Sequence, residues 1–328
     1  MMRRIRAIQI EKTGGPEVLQ SAEISIGDPG PGEVRIRHEA CGLNFIDTYH
    51  RTGLYPLSLP AVLGVEGAGV VEAVGEGVTH VGVGDRVAYT SKEPGSYAEA
   101  RVLSATPVVK LPDAIATDAA AAMMLKGLTV QYLLRRTRHG LEPGEYLVWH
   151  AAAGGVGLIA CQWARALGYR MIATAGSAEK CALAKHHGAE HAINYRTDDV
   201  VARVREITGG AGVKAVFDSV GKDTWERSLE CLAPFGLMVS FGNASGAVPP
   251  FNILQLSAKG SLYVTRPTLH WHLRTVAIAE AMAGELFAMV TSGKLVVPVE
   301  RRYPLDQAAQ AHRDLEARIT TGAGILIP

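Results

Sequence analysis

Two stretches of this 328-residue chain carry residue types and spacings that could do chemistry. The first reads Tyr146-Leu147-Val148-Trp149-His150-Ala151-Ala152-Ala153-Gly154-Gly155-Val156-Gly157, then Leu158-Ile159-Ala160-Cys161. An apolar strand that enters a glycine turn and opens a helix is the setting a dinucleotide needs. Gly154 lets the backbone approach a pyrophosphate and Gly157 lets helix and strand pack closely. The helix N-terminus at Gly155 and Val156 then presents N–H groups and a positive dipole end to the phosphates. Ala152 stands where the usual G-x-G-x-x-G pattern has its first glycine. The second stretch lies one strand later, where Met171–Ala175 runs into Gly176-Ser177-Ala178-Glu179-Lys180. A site for NAD generally has an acid at that strand tip to accept from the ribose 2′-OH. Here a hydroxyl and a lysine follow the tip, a donor set suited to a 2′-phosphate, so the expected cofactor is NADPH. Glu179 is expected to point away from the site, and Ser177 also reads as a helix cap.

The elements that must hold these groups follow from periodicity. From Glu145 to about Arg266, buried strands at 146–150, 170–174, 191–194, 214–218, 237–241 and 261–265 alternate with helical segments, which implies a parallel sheet covered on both faces. Before it, short valine-rich runs at 33–37, 69–74 and 85–89 between glycine and proline turns predict a compact antiparallel β domain. A helix is predicted over 118–134, interrupted near Gly127, and another over 272–292. The tail places an amphipathic helix over 305–319 between two apolar runs, and Gly324-Ile325-Leu326-Ile327-Pro328 resembles the early strands, so the chain is expected to return to its first domain. The expected division is 1–125 with 292–328, and 126–291.

Composition narrows the function classes. Hydrophobic residues make up 48% and charged residues 20%, as in a packed enzyme. A net charge of +1 supplies no field for nucleic acid or an anionic membrane, and neither partner is expected. Cys41, Cys161, Cys181 and Cys231 form no C-x-x-C pair and read as reduced thiols of a cytoplasmic protein. Met1–Thr13 alternates apolar and polar residues and reads as a first strand, not a signal peptide.

With these motifs in view, the chain resembles the medium-chain dehydrogenase/reductase superfamily, and within it the bacterial NADPH:quinone oxidoreductases related to zeta-crystallin. The resemblance spans essentially the whole chain. It rests on 14–19 (GGPEVL), 44–49 (NFIDTY), 84–87 (GDRV), 126–129 (KGLT), the 151–157 loop, 218–221 (DSVG) and 263–267 (YVTRP). It implies an α/β fold: a doubly wound Rossmann sheet plus an N-terminal, mainly β, GroES-like domain completed by the tail. Alcohol dehydrogenases of the superfamily carry catalytic zinc. Asn44, Val65 and Lys126 stand at three of their ligand positions and supply no zinc ligand, so no metal is expected.

The resemblance also implies roles. Gly154, Gly155, Val156 and Gly157 would hold the pyrophosphate; Gly176, Ser177, Lys180 and Tyr195 would surround the 2′-phosphate. Ser219, Phe241, Gly242, Asn243 and Val264 lie at strand ends where such sheets bind ligands, and Lys126, Thr129 and Arg318 would approach phosphates from the other domain. The acceptor pocket is expected near Asn44, Phe45, Asp47, Tyr49 and Tyr55, because Asn and Tyr can donate to a carbonyl oxygen and Tyr rings stack on its plane. Glu66 would be a structural acceptor, and no dedicated proton donor stands out. Without a Lewis acid, alcohol oxidation is difficult, so the expected acceptor is a small quinone or another conjugated carbonyl compound. Reduction of 2-alkenals or enones is the alternative reaction, and a structural or RNA-binding, crystallin-like protein the alternative class. Family analogy and the sixth strand of the sheet imply a homodimer joined at sheet edges.

Overall fold

The computed structural model describes residues 2–137, 140–317 and 322–328. Among these the chain divides into two compact units, 1–129 with 269–328, and 130–268. The second unit is built on six parallel strands: Tyr146–Trp149, Arg170–Ala175, His191–Asn194, Val213–Asp218, Leu232–Ser240 and Tyr263–Thr265. Their spatial order is third, second, first, fourth, fifth, sixth. The order reverses beside the first strand, which is the doubly wound arrangement and puts the switch point at the glycine loop. The first two strands are almost wholly buried, as a sheet covered on both faces requires. The fifth strand starts five residues earlier than its apolar run suggests. Pro234, Phe235 and Gly236 interrupt the pattern there, and Phe235 takes a left-handed φ of 61°.

The first unit holds a three-stranded sheet and a seven-stranded sheet. The larger one carries Glu33–Gly42, Glu66–Val74, Arg86–Thr90, Ala100–Ser104 and Val108–Lys110, all antiparallel to their neighbours. The tail strand Ala323–Ile327 pairs antiparallel with Glu33–Gly42 through Ile325 and Gly42 and through Leu326 and Cys41, so the chain does return. Its other neighbour, Val299–Pro304, runs parallel to it, the one departure from an antiparallel pattern. A buried core of Ile8, Ile10, Cys41, Leu43, Leu63, Tyr97, Leu305 and Leu326 joins the two sheets to the tail.

Three helices differ from their sequence expectations. Thr117–Arg135 is continuous through Gly127. A Cβ at Gly127 would lie 2.6 Å from the Leu286 side chain, so this glycine permits a close helix approach instead of a break. The helix carrying Leu286 starts at Val276, after a short 3-10 turn over Leu269–His272. It belongs to the first unit, whereas its position after the last parallel strand suggested the second. In the tail, a 3-10 turn at Leu305–Gln307 leads into Ala308–Glu316, and the expected extension through Ile319 lies outside the described residues.

Candidate active site

In the second unit the first strand delivers the chain to Ala151, which takes a left-handed φ of 55°, and helix Gly155–Ala166 begins two peptides beyond Ala153 with Gly154 as its N-cap. The left-handed turn residue is therefore Ala151. Ala152 keeps a negative φ and donates its N–H to Thr174 O at 3.0 Å, so its position tolerates a methyl group. Gly157 does not: a Cβ there would lie 2.5 Å from the Ala152 backbone. At Gly154 the nearest atom is Ala151 O at 3.3 Å, a milder constraint. The backbone N–H groups of the first helical turn have no intrahelical partner by construction, a donor set that could take a pyrophosphate.

At the next strand tip, Ser177 caps helix Ala178–His186 by accepting from Lys180 N at 3.3 Å. Tyr195 closes over Gly176: a Cβ at Gly176 would lie 2.6 Å from Tyr195 Oη and 3.5 Å from Arg196 Nε. Gly176, Ser177, the Lys180 backbone and the Tyr195 ring are thus brought together, with the Arg196 guanidinium beside Gly176. Sequence reasoning passed over Arg196, although its place directly after Tyr195 was the available signal. The exposed Glu179 carboxyl lies below the usual range, chiefly through Ser177.

The fourth and fifth strand tips interlock. Phe241 N donates to Asp218 O at 2.8 Å, and a Cβ at Gly242 would fall 2.4 Å from Ser219 O. Arg266 reaches Ser240 Oγ and Gly242 O, both at 3.1 Å. It also donates to the Asn243 amide oxygen at 3.2 Å when that amide is oriented to satisfy its neighbours. The Asn243 side chain therefore braces the strand tip through Arg266, leaving Ser219 and the Phe241 ring half-buried. Val264, on the sixth strand, pairs with Met238 of the fifth.

In the first unit, Asn44 caps helix Phe45–Thr52. Asp47, wholly buried in its first turn, accepts from Asn44 N at 2.9 Å and from the Tyr97 hydroxyl at 2.8 Å. Burial pushes its carboxyl up to about 7, against the lowering effect of these donors. Tyr97 Oη lies 3.2 Å from His312 Nε2, and His312 Nδ1 lies 3.1 Å from Arg51 Nη1. A guanidinium only donates, so Nδ1 accepts, Nε2 carries the proton and Tyr97 passes its own hydrogen to Asp47. Arg51 is tied to Glu316 at 2.6 Å. Burial and then Arg51 push His312 down to about 3, which keeps it neutral. Asp47 is consequently a positioning group enclosed behind the helix, not a group that touches an acceptor.

Asn44 Nδ2 donates to Glu66 Oε2 at 2.7 Å, and Glu66 Oε1 accepts from Leu125 N at 2.7 Å. Lys126 Nζ lies 3.5 Å from Glu66 Oε2 and donates to Leu43 O at 3.1 Å. Burial raises the Glu66 carboxyl and the adjacent Lys126 opposes it most strongly. Lys126 is thus held in a buried ion pair, and its approach to a cofactor phosphate remains a proposal. An amide N–H, an ammonium and the buried, apolar Val65 do not form a zinc donor set: two of them donate, and the cation facing Glu66 is Lys126 itself.

Phe45 and Tyr49, one turn apart, share a half-buried face of the helix, and the Tyr49 and Tyr55 rings meet edge-on at 5.3 Å. His50 joins them, its ring 5.9 Å from Tyr55. Its buried Nδ1 has no hydrogen-bond partner among the described residues, and burial and then His270 hold its imidazole near 4. Nothing in the local sequence singled it out. Thr129 is half-buried near the end of this unit, and Arg318 lies outside the described residues.

Two family models match the chain: an alcohol dehydrogenase GroES-like domain over 30–113 and a zinc-binding dehydrogenase domain over 155–275. A quinone oxidoreductase of Pseudomonas aeruginosa is 54% identical over 98% of this chain and 99% of its own. The chain belongs to the quinone oxidoreductase family. The structure of the Escherichia coli family member, complexed with NADPH, superposes with a TM-score of 0.96 at 51% identity, covering 98% of this chain and 100% of that one. A 2-haloacrylate reductase from Burkholderia sp. is 43% identical over 99% of both chains. The family places the chain in the medium-chain dehydrogenase/reductase superfamily, with the GroES-like and doubly wound domains described above.

Proposed function

We propose that this protein is an NADPH:quinone oxidoreductase that works without a metal, and that the cofactor half-site carries the assignment. NADPH supplies a reducing hydride when bound. The chain's own residues do the rest. The N–H groups at 155–157 receive the pyrophosphate, where Gly157 permits no side chain. Arg196 and Tyr195 flank Gly176 as donors for a 2′-phosphate, Lys180 reaches it from the first turn of the following helix, and Ser177 turns from Glu179 to join them when the phosphate binds; Ser219, Phe241, Gly242, Asn243 and Val264 form the strand tips beside the nicotinamide half. Asn44, Phe45, Tyr49 and Tyr55 frame the acceptor, with Asp47 and Glu66 behind them fixing the helix start. Thr129 and Arg318 remain proposed contacts.

An acceptor that is already electrophilic needs orientation and exclusion of water more than activation. The Tyr49–Tyr55 pair suits a flat conjugated ring. The 2-haloacrylate reductase in the same family supports a second reading, reduction of an activated carbon–carbon double bond, through the same cofactor half-site. Rates of NADPH oxidation with benzoquinone, naphthoquinone and 2-alkenals, with and without chelator, test the assignment. Quinone rates well above alkenal rates and indifferent to chelator are expected; chelator-sensitive turnover, or turnover with alkenals alone, would contradict it.

The same reading carries a homodimer and a cytoplasmic location. The sixth strand is a sheet edge, and Tyr263, Ile253 and Leu254 are exposed in the same unit; an edge with apolar side chains suits pairing with a second copy. Among the described residues no helix is long and apolar enough to cross a membrane.

A further inference from the structure

At the ends of the strands that lead to the glycine loop lies a chain of four buried polar side chains that the proposed cofactor contacts do not use. His150 Nδ1 is 2.9 Å from Thr174 Oγ1, His150 Nε2 is 3.0 Å from Ser228 Oγ, and Ser228 Oγ donates to Asp218 Oδ2 at 2.8 Å. The other Asp218 oxygen accepts from Val220 N at 2.7 Å and Gly221 N at 3.1 Å. None of the four is more than 2% exposed.

Proton inventory fixes the direction of this chain. A carboxylate accepts only, so the single Ser228 proton is spent on Asp218. The Ser228 oxygen must then accept from His150, which puts the imidazole proton on Nε2. Nδ1 of a neutral ring is left as an acceptor and receives the Thr174 hydrogen. Burial holds His150 below its ordinary value, in keeping with a neutral ring. Every member is satisfied, and the series ends on two backbone N–H groups of the loop after the fourth strand.

The placement gives the chain a task. Thr174 is next to last in the second strand, two residues before Gly176; His150 follows the first strand and leads into Ala151; Asp218 ends the fourth strand. Burying four polar groups costs desolvation that apolar residues would not incur, and what a fully satisfied network supplies in return is one fixed geometry. Resting on the NADPH reading above, we propose that His150, with its proton held on Nε2, is a positioning residue for the dinucleotide, locking three strand tips into the arrangement that receives it.

The test compares His150→Leu, His150→Gln and Ser228→Ala with wild type, using NADPH fluorescence titration, KM and kcat with a quinone, and thermal melting. Gln can donate from its amide nitrogen and accept at its oxygen, so it can replace both links. His150→Leu and Ser228→Ala should weaken NADPH about tenfold, the scale of one lost buried hydrogen bond, with kcat at saturation within about twofold; His150→Gln should recover most of the affinity. A purely structural role would lower the melting temperature and leave KM for NADPH unchanged, and that result overturns the proposal, as does an equal loss with Gln and Leu. Should the variants not fold, long-range proton–nitrogen correlation on wild type decides the matter: an unprotonated Nδ1 supports the relay and a protonated one refutes it. Failure of wild type to bind NADPH would remove the cofactor reading itself, and the proposal with it.

Discussion

At the scale of single residues, the decisive groups are the donors around Gly176. Lys180→Ala and Arg196→Ala each remove one charged donor from the 2′-phosphate site. A charge-assisted hydrogen bond contributes about 1.5–3 kcal/mol, so KM for NADPH should rise by roughly tenfold or more in either variant. KM for NADH should stay nearly constant; if it rises in parallel, the two cations act on something other than the extra phosphate. Ser177 and Lys180 were legible because they sit two and five residues past a strand end. Arg196 was legible only through its place directly after Tyr195, and the fold of the third strand tip is what brings it to Gly176. Lys126 shows the reverse. The family resemblance aimed it at a phosphate, while the buried Glu66 carboxylate, distant in the chain, pairs with its ammonium. Lys126→Met should therefore destabilise the protein by about 3–5 kcal/mol through an unpaired buried carboxylate, and adding Glu66→Gln should return much of that loss. Denaturant midpoints of the single and double variants check this, and a double variant no more stable than the single would contradict it.

At the scale of elements, alternating strands and helices were readable because a parallel sheet demands continuous apolar strands, and five of the six predicted strands agree with the observed ones to within two residues at each end. The exception, the early start of Leu232–Ser240, hides behind a proline and a glycine. Gly127 misled for a similar reason: glycine serves both breaks and close packing, and only the partner helix tells which. Gly157 and Gly154 were legible as a pair but not in rank. With 2.5 Å to the backbone at Gly157 and 3.3 Å at Gly154, Gly157→Ala should be far more damaging than Gly154→Ala. Overpacking of this kind costs about 1–3 kcal/mol. The melting temperature and NADPH affinity of Gly157→Ala should both fall, and equal behaviour of the two variants would show that the loop relaxes freely.

At the scale of the whole molecule, buried titratable groups govern the response to acid. Burial depresses His38 to about 4, His50 to about 4 and His312 to about 3, each from an ordinary value of 6.5. Their contributions to stability are present above pH 6.5 and are lost as pH falls toward those depressed values. Asp47, raised from 3.8 to about 7, works the other way: its contribution is full below about 3.8 and lost as pH rises through 7. Between pH 4 and 6.5 these three imidazoles, together with the depressed His150 and His270, outweigh the raised Asp47 and Glu66 carboxyls, so stability should fall on acidification. Melting temperatures across that range check the sign, and a rise toward pH 4.5 would contradict it. None of this was visible in the sequence, where eleven histidines carry no sign of which are enclosed. What was visible is the sheet, the return of the tail and the cofactor loop, and on these the functional account stands. Its central claim is a preference for the phosphorylated dinucleotide, and equilibrium titration of wild type with NADPH and NADH under one buffer measures it directly. The account predicts NADPH binding at least about tenfold tighter, the worth of one charged donor; equal affinity, or tighter NADH binding, would contradict it.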